Sequence, residues 1–229
     1  MILFHPMDFL IFIAFGIALW AQFKVKGNFN RWSQVRSSCG LTGAEVARRI
    51  LDAEGLYHVD VELSQAGTLS DHYDPIARKV RLSEEVYYGN SIAALSVAAH
   101  ETGHAIQHKV SYPMLVLRHR IFPVANLGSS IAPFLLIAGF LFQASGLIGL
   151  GILFFSGAVA FHLVTLPVEF DASARAGRKL VEMGFLRQEE MSGVKSVLGA
   201  AAMTYVASAL VALLELVKYI MIFANAREE

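Results

Sequence analysis

The chain has 229 residues, 55% of them hydrophobic, and a mean hydropathy of +0.51, which is too apolar for an ordinary soluble domain of this size and requires membrane segments. Lys plus Arg and Asp plus Glu both number 19, so the chain lacks the basic field that a nucleic-acid partner needs. A single cysteine, Cys39, excludes an internal disulfide and a cysteine-built zinc cluster, and any metal must be held by histidine and carboxylate.

Residues 9–23 are uncharged, and with residues 2–7 and the single Asp8 they give about 20 residues, enough to cross the hydrocarbon core. A first transmembrane helix is therefore predicted over residues 1–23. A cleaved signal peptide is disfavoured, because no Lys or Arg precedes the apolar run and no small-residue cleavage site follows it. Trp20, Lys24 and Lys26 read as an interface anchor.

From Arg31 the composition becomes that of a small polar domain, predicted over residues 24–120. Thr42 and Glu45 form a capping box, Leu41 and Val46 are spaced as a hydrophobic staple, Val46, Ile50, Ala53 and Tyr57 recur at helical spacing, and Gly55 is placed to end that helix. Val59, Val61 and Leu63 alternate with acidic residues, and Val80 and Leu82 with basic ones. Two half-buried strands are expected, joined by the turn-rich residues 70–75. The strand Lys79–Leu82 is expected to be an edge that aligns an extended substrate by β-augmentation. Ser83 is placed to cap a short helix that Gly89 closes.

Asn90 or Ser91 then caps a helix that carries His100, Glu101 and His104 in the order H-E-x-x-H. Residues four apart lie on one helical face, so both imidazoles can address one ion. Glu101 is rotated about 100° from His100. It is badly placed as a third ligand and well placed as a general base toward water activated by Zn²⁺, so the motif points to hydrolysis. The uncharged, largely apolar run of residues 92–99 before His100 is too short to cross a bilayer, and it reads as a core helix of the polar domain.

No Asp, Glu, Lys or Arg occurs between Arg120 and Glu169. That length suits two spans, a hairpin over residues 121–167 shaped by Pro123 and Pro133 and turning at residues 143–146. A charged helical segment, 168–196, follows, then a fourth span over 197–224, where Glu215 and Lys218 are expected to neutralise each other, and a short tail, 225–229. Twelve Lys and Arg lie between Lys24 and Arg120 and five between Arg175 and Lys195, with none in the 143–147 turn. By the positive-inside rule both polar segments face the cytoplasm. The motif helix and the segment opening at Glu169 then share a side of the membrane.

Catalytic zinc takes three protein ligands and one open position. His108, another four residues on, is too far along the helix from His100 to share the ion, since eight residues rise about 12 Å. The extended motif with a third histidine also fails, with Gln107 where Gly is needed and Val110 where His is needed. Glu169, at the cytoplasmic end of the third span, is the best third ligand; the alternative is an interfacial carboxylate paired with Arg175.

The stretches HETGH with its preceding SIAALSVAA, LTGAEVARRIL, GLYHVDVEL, DHYDP, KVRLSEEVY and LPVEFDASARA resemble the bacterial YugP-like neutral zinc metallopeptidases along nearly the whole chain. The order of elements is also similar to the HtpX-like and CAAX-processing membrane gluzincins. The resemblance implies a zinc endopeptidase of the bacterial plasma membrane, with one Zn²⁺ on His100, His104 and Glu169, Glu101 as base, and protein or peptide substrates. HtpX-like enzymes place an Asp four residues after the ligand Glu. Here that position is Ser173, and Asp171 points to another side of the helix.

Further polar residues carry weaker signals. His108 reads as a supporting or polar-face histidine. His162, seven residues before Glu169, either lines the approach to the metal or donates a hydrogen bond between helices. Tyr73, His72, Asp74 and Arg175 are candidates for stabilising an oxyanion, against ordinary turn and surface roles. The expected fold is a mainly α integral membrane protein with about four transmembrane helices and a small α+β cytoplasmic zincin-like domain carrying the H-E-x-x-H helix. A non-catalytic zinc-binding membrane scaffold is the competing function.

Overall fold

In a computed structural model, which describes residues 5–225, the chain is mainly helical with one three-stranded sheet. The elements are α1 (Pro6–Ser33), α2 (Gly43–Ala53), β1 (Asp60–Leu63), β2 (His72–Asp74), β3 (Lys79–Leu82), α3 (Glu84–Tyr87), α4 (Ile92–Lys109), α5 (Pro113–Leu141), α6 (Ser145–Glu182) and α7 (Met191–Asn225). Residues 1–4 of the predicted first span and residues 226–229 of the predicted tail lie outside the described residues. Among the described residues, four helices are long and apolar enough to cross a bilayer: α1, α5, α6, and α7 with the short turn before it.

The chain divides into two compact units. The apolar unit takes the first part of α1, all of α5, α6 up to Pro167 and α7 from Thr204. Its helices approach closely where side chains are small: a Cβ on Gly128 of α5 would come within 2.4 Å of the Phe154 carbonyl oxygen of α6. α5 runs through Pro123 and Pro133, and α6 through Pro167. The expected pairing of Glu215 with Lys218 is corrected here: Lys218 Nζ donates instead to Asp8 Oδ1, 2.8 Å away, and so ties α7 to α1. An ion pair removed from water holds only if both charges are met.

The polar unit comprises residues 22–112 and 168–203. The Thr42–Glu45 capping box forms as expected. Gly55, at φ +69°, takes the left-handed position that ends α2, with Gly55 N–H donating to Asp52 and Leu56 N–H to Leu51. That turn brings Leu51 and Leu56 into the core and leaves Tyr57, expected on the same helical face, exposed. β1 and β3 pair in parallel, and β2, inside the stretch read as a turn, pairs antiparallel on the other side of β3. β3 is thus the central strand, which corrects its expected role as a substrate-aligning edge: its backbone groups are already paired on both sides.

Val80 and Leu82 of β3 are fully buried with Val46 and Ile50 of α2 and Leu95 of α4. Ser83 stands at the start of α3, but its hydroxyl bonds the Asp71 carboxylate and not the helix. Ser91 Oγ accepts the Ala94 N–H and caps α4. α4 and α6 meet at Gly103: a Cβ there would lie 2.7 Å from the Ala172 carbonyl oxygen and 3.2 Å from its Cα. Backbone packs on backbone, so Gly103→Ala is expected to lower the thermal unfolding midpoint of the full-length protein. The helix-propensity gain of about 1 kcal/mol is outweighed by an overpacking cost of roughly 1–3 kcal/mol. A raised midpoint would show that the two helices do not need this approach.

Candidate metal centre

α4 carries His100 and His104 one turn apart, with ring centroids 4.8 Å apart and edge-to-face. Glu169, on the charged continuation of α6, is buried, and its Oε2 lies 3.3 Å from His100 Nε2 and 3.6 Å from His104 Nε2. These donor atoms all lie within 4.8 Å of one another. Ligands about 2.0–2.1 Å from a tetrahedral zinc are roughly 3.3–3.4 Å apart. The two distances from Glu169 to the imidazoles are close to that spacing, and the chemistry of the set is compatible with Zn²⁺.

The hydrogen bonds behind the histidines fix which nitrogen faces the cluster. Gln107 Nε2 donates to the Val168 carbonyl and to Asp171 Oδ2, each at 2.8 Å. Both partners only accept, so the amide cannot be turned around. Gln107 Oε1 then points at His104 Nδ1, 3.0 Å away, and Nδ1 must be the donor. His104 Nε2 is left as the atom that binds a metal or a second proton. Asp171 is held in turn by Arg175 Nε at 2.6 Å. On the other ring, Ser173 Oγ lies 3.2 Å from His100 Nδ1.

The electrostatics favour a cation at this point. Burial works against charge on Glu169, but the two imidazoles outweigh it and hold the carboxyl well below the usual carboxylate range. Burial also works against a proton on His104, yet the Glu169 and Glu101 carboxylates keep its pKa above the ordinary histidine value. An ionised carboxylate packed against two imidazoles is compatible with a cation there, a proton on an imidazole or a metal ion. Glu101 is itself buried, at 8% exposure, within electrostatic reach of His104.

The remaining predicted residues separate clearly. His108 Nδ1 and Tyr73 Oη are 2.8 Å apart and bind each other, joining α4 to β2. Ser173 and Arg175 both stand behind the histidines, Arg175 also stacking on Tyr112 at 5.9 Å. His72 bonds the Ser70 carbonyl, and Asp74 accepts from Ile76, Ala77 and Arg81, so both serve the loop and sheet. His162 lies in the apolar unit beside Phe161. Sequence reasoning missed Gln107 and set Asp171 aside. Gln107 follows His104 by one helical turn, and that spacing was the available signal. Asp171 reaches His104 by way of the Gln107 amide.

A family model described as "Putative neutral zinc metallopeptidase" matches residues 7–224. The chain is also 60% identical over 221 residues to "Putative membrane protease YugP" of Bacillus subtilis (strain 168), a match that covers 96% of this chain and 98% of that relative. No solved structure matches the chain.

If Gln107 orients His104, Gln107→Leu should weaken zinc binding by about 10–100-fold, measured by chelator competition on the purified full-length protein. An unchanged affinity would reduce the amide to a packing role.

Proposed function

We propose that this chain, which belongs to the neutral zinc metallopeptidase family, is a membrane-integrated endopeptidase in which His100, His104 and Glu169 hold zinc and Glu101 is the general base. The observation that carries the reading is the position of the Glu169 carboxylate, 3.3 and 3.6 Å from the two histidine nitrogens. A chance H-E-x-x-H in a core helix has no reason to meet a buried carboxylate from a distant helix. Zinc held there supplies Lewis acidity, which polarises a peptide carbonyl and acidifies water.

The chain's own groups do the rest. Glu101, next to His100 and outside the ligand set, takes the proton from the attacking water and delivers it to the leaving amine. Gln107 and Ser173 hold the imidazoles with Nε2 toward the metal, and Asp171 with Arg175 holds Gln107. Burial of Glu101 and Glu169 limits water around the site and strengthens these interactions. Substrates are proteins or peptides, as the name of the relative suggests. The excess of Lys and Arg beside the spans supports a polar unit and site on the cytoplasmic side of the plasma membrane.

Glu101→Gln separates catalysis from scaffolding. The variant should keep about one zinc per chain and the wild-type unfolding midpoint, while cleavage of a fluorescent protein substrate falls by about 10²–10⁴-fold. Cleavage at the wild-type rate would remove Glu101 as base. Equal inactivity of both proteins across a broad peptide library would favour a zinc-held scaffold.

A further inference from the structure

α6 and α7 are both candidate membrane spans, and both continue into the polar unit, where they bound a groove of about 870 Å³. None of His100, Glu101, His104 and Glu169 lines it. The groove is amphipathic along its length. Phe170 of α6 and Met203 of α7 line it close in sequence to Pro167 and Thr204, where the apolar unit's share of each helix ends and resumes. Arg178 and Lys195 border it further along. Eight residues separate Phe170 from Arg178 and eight separate Lys195 from Met203, about 12 Å of helix rise on each wall. The two cations thus stand at matching distances from the apolar end. That length is close to the roughly 15 Å that one leaflet contributes to the hydrocarbon core.

The charge at the polar end is unbalanced. Glu182, the carboxylate there, already faces Lys179 at 3.5 Å, whereas Arg178 and Lys195 form no ion pair among the described residues. The apolar length is also left open, with Phe170 49% exposed. Glycine inside a helix is disfavoured relative to alanine, and at Gly103 close helix packing explains it. In the groove, a Cβ on Gly177 would make only an ordinary 3.4 Å contact with Met191, and one on Gly199 would meet nothing within 4 Å. Packing requires neither glycine, and both leave room in the groove.

We propose that this groove binds one anionic phospholipid, with an acyl chain along its apolar length and the phosphate between Arg178 and Lys195. Basic pockets beside membrane-spanning helices suit such headgroups. A zwitterionic lipid brings its own cation to the two already there, and free phosphate lacks the chain that fills the apolar part. The site is separate from the metal ligands and does not depend on the peptidase reading.

Native mass spectrometry of the full-length protein, delipidated in a neutral detergent, measures the binding of phosphatidylglycerol against phosphatidylcholine with identical chains. Phosphatidylglycerol should bind at least about tenfold tighter, since each basic residue beside an anionic headgroup contributes about fivefold. Joint replacement, Arg178→Gln with Lys195→Gln, should reduce that ratio at least about fivefold. Arg120→Gln, which removes an exposed cation outside the groove, should leave it unchanged. Gly199→Leu should weaken both lipids by at least about fourfold, the loss of roughly one buried methylene, with Gly199→Ala weakening them less. Unfolding midpoints establish that each variant is folded, and the alanine variant serves alone if the leucine variant is not. Neither glycerol phosphate nor an uncharged Leu/Phe peptide at equal concentration should displace the lipid. An unchanged ratio in the double variant, an equal fall in Arg120→Gln, displacement by either competitor, or lipid binding untouched at Gly199 overturns the proposal.

Discussion

The polar unit depends on one buried contact, that of the Glu169 carboxylate with the imidazoles of His100 and His104. A carboxylate removed from water is costly unless positive charge or donors meet it, so the contact is a demand on everything around it. It requires α4 and α6 to approach until backbone touches backbone at Gly103 and Ala172. It also requires both rings to be fixed from behind, by Ser173 on one side and Gln107 on the other. Since α6 is one continuous helix from Ser145 to Glu182, the carboxylate that meets the two histidines is carried on the same helix as a candidate membrane span.

Much of the local structure was legible in the sequence because it is set by residues close in the chain. The Thr42–Glu45 box, Gly55 at the end of α2, Ser91 as cap of α4 and the pairing of imidazoles four residues apart all follow from helix geometry. Glu169 was expected for a different reason: the charge pattern predicts it on the same side of a membrane as the motif, and a catalytic zinc would need a third donor. Its convergence with the histidines is what the fold adds.

What was not legible rests on contacts between distant elements. β2 lies in a stretch whose Asp-Pro content signals a turn, and only its pairing with β3 makes it a strand. That pairing puts β3 in the centre of the sheet, where no alternation pattern distinguishes centre from edge over four residues. Lys218 finds Asp8 and not its sequence neighbour Glu215, because helices α1 and α7 offer a better partner than the i−3 position. Gln107 looked like a defect in a longer histidine motif. In the folded chain it donates to Val168 and Asp171, and that pair of acceptors sets the tautomer of His104.

The central claim, that two imidazoles and the Glu169 carboxylate together hold one zinc, is tested most directly by zinc-edge X-ray absorption on the purified full-length protein beside its Glu169→Ala variant. The account expects two imidazoles with oxygen donors and no sulfur in the native protein, and loss of the carboxylate donor in the variant. A shell with three imidazoles, or one identical in the two proteins, would contradict it.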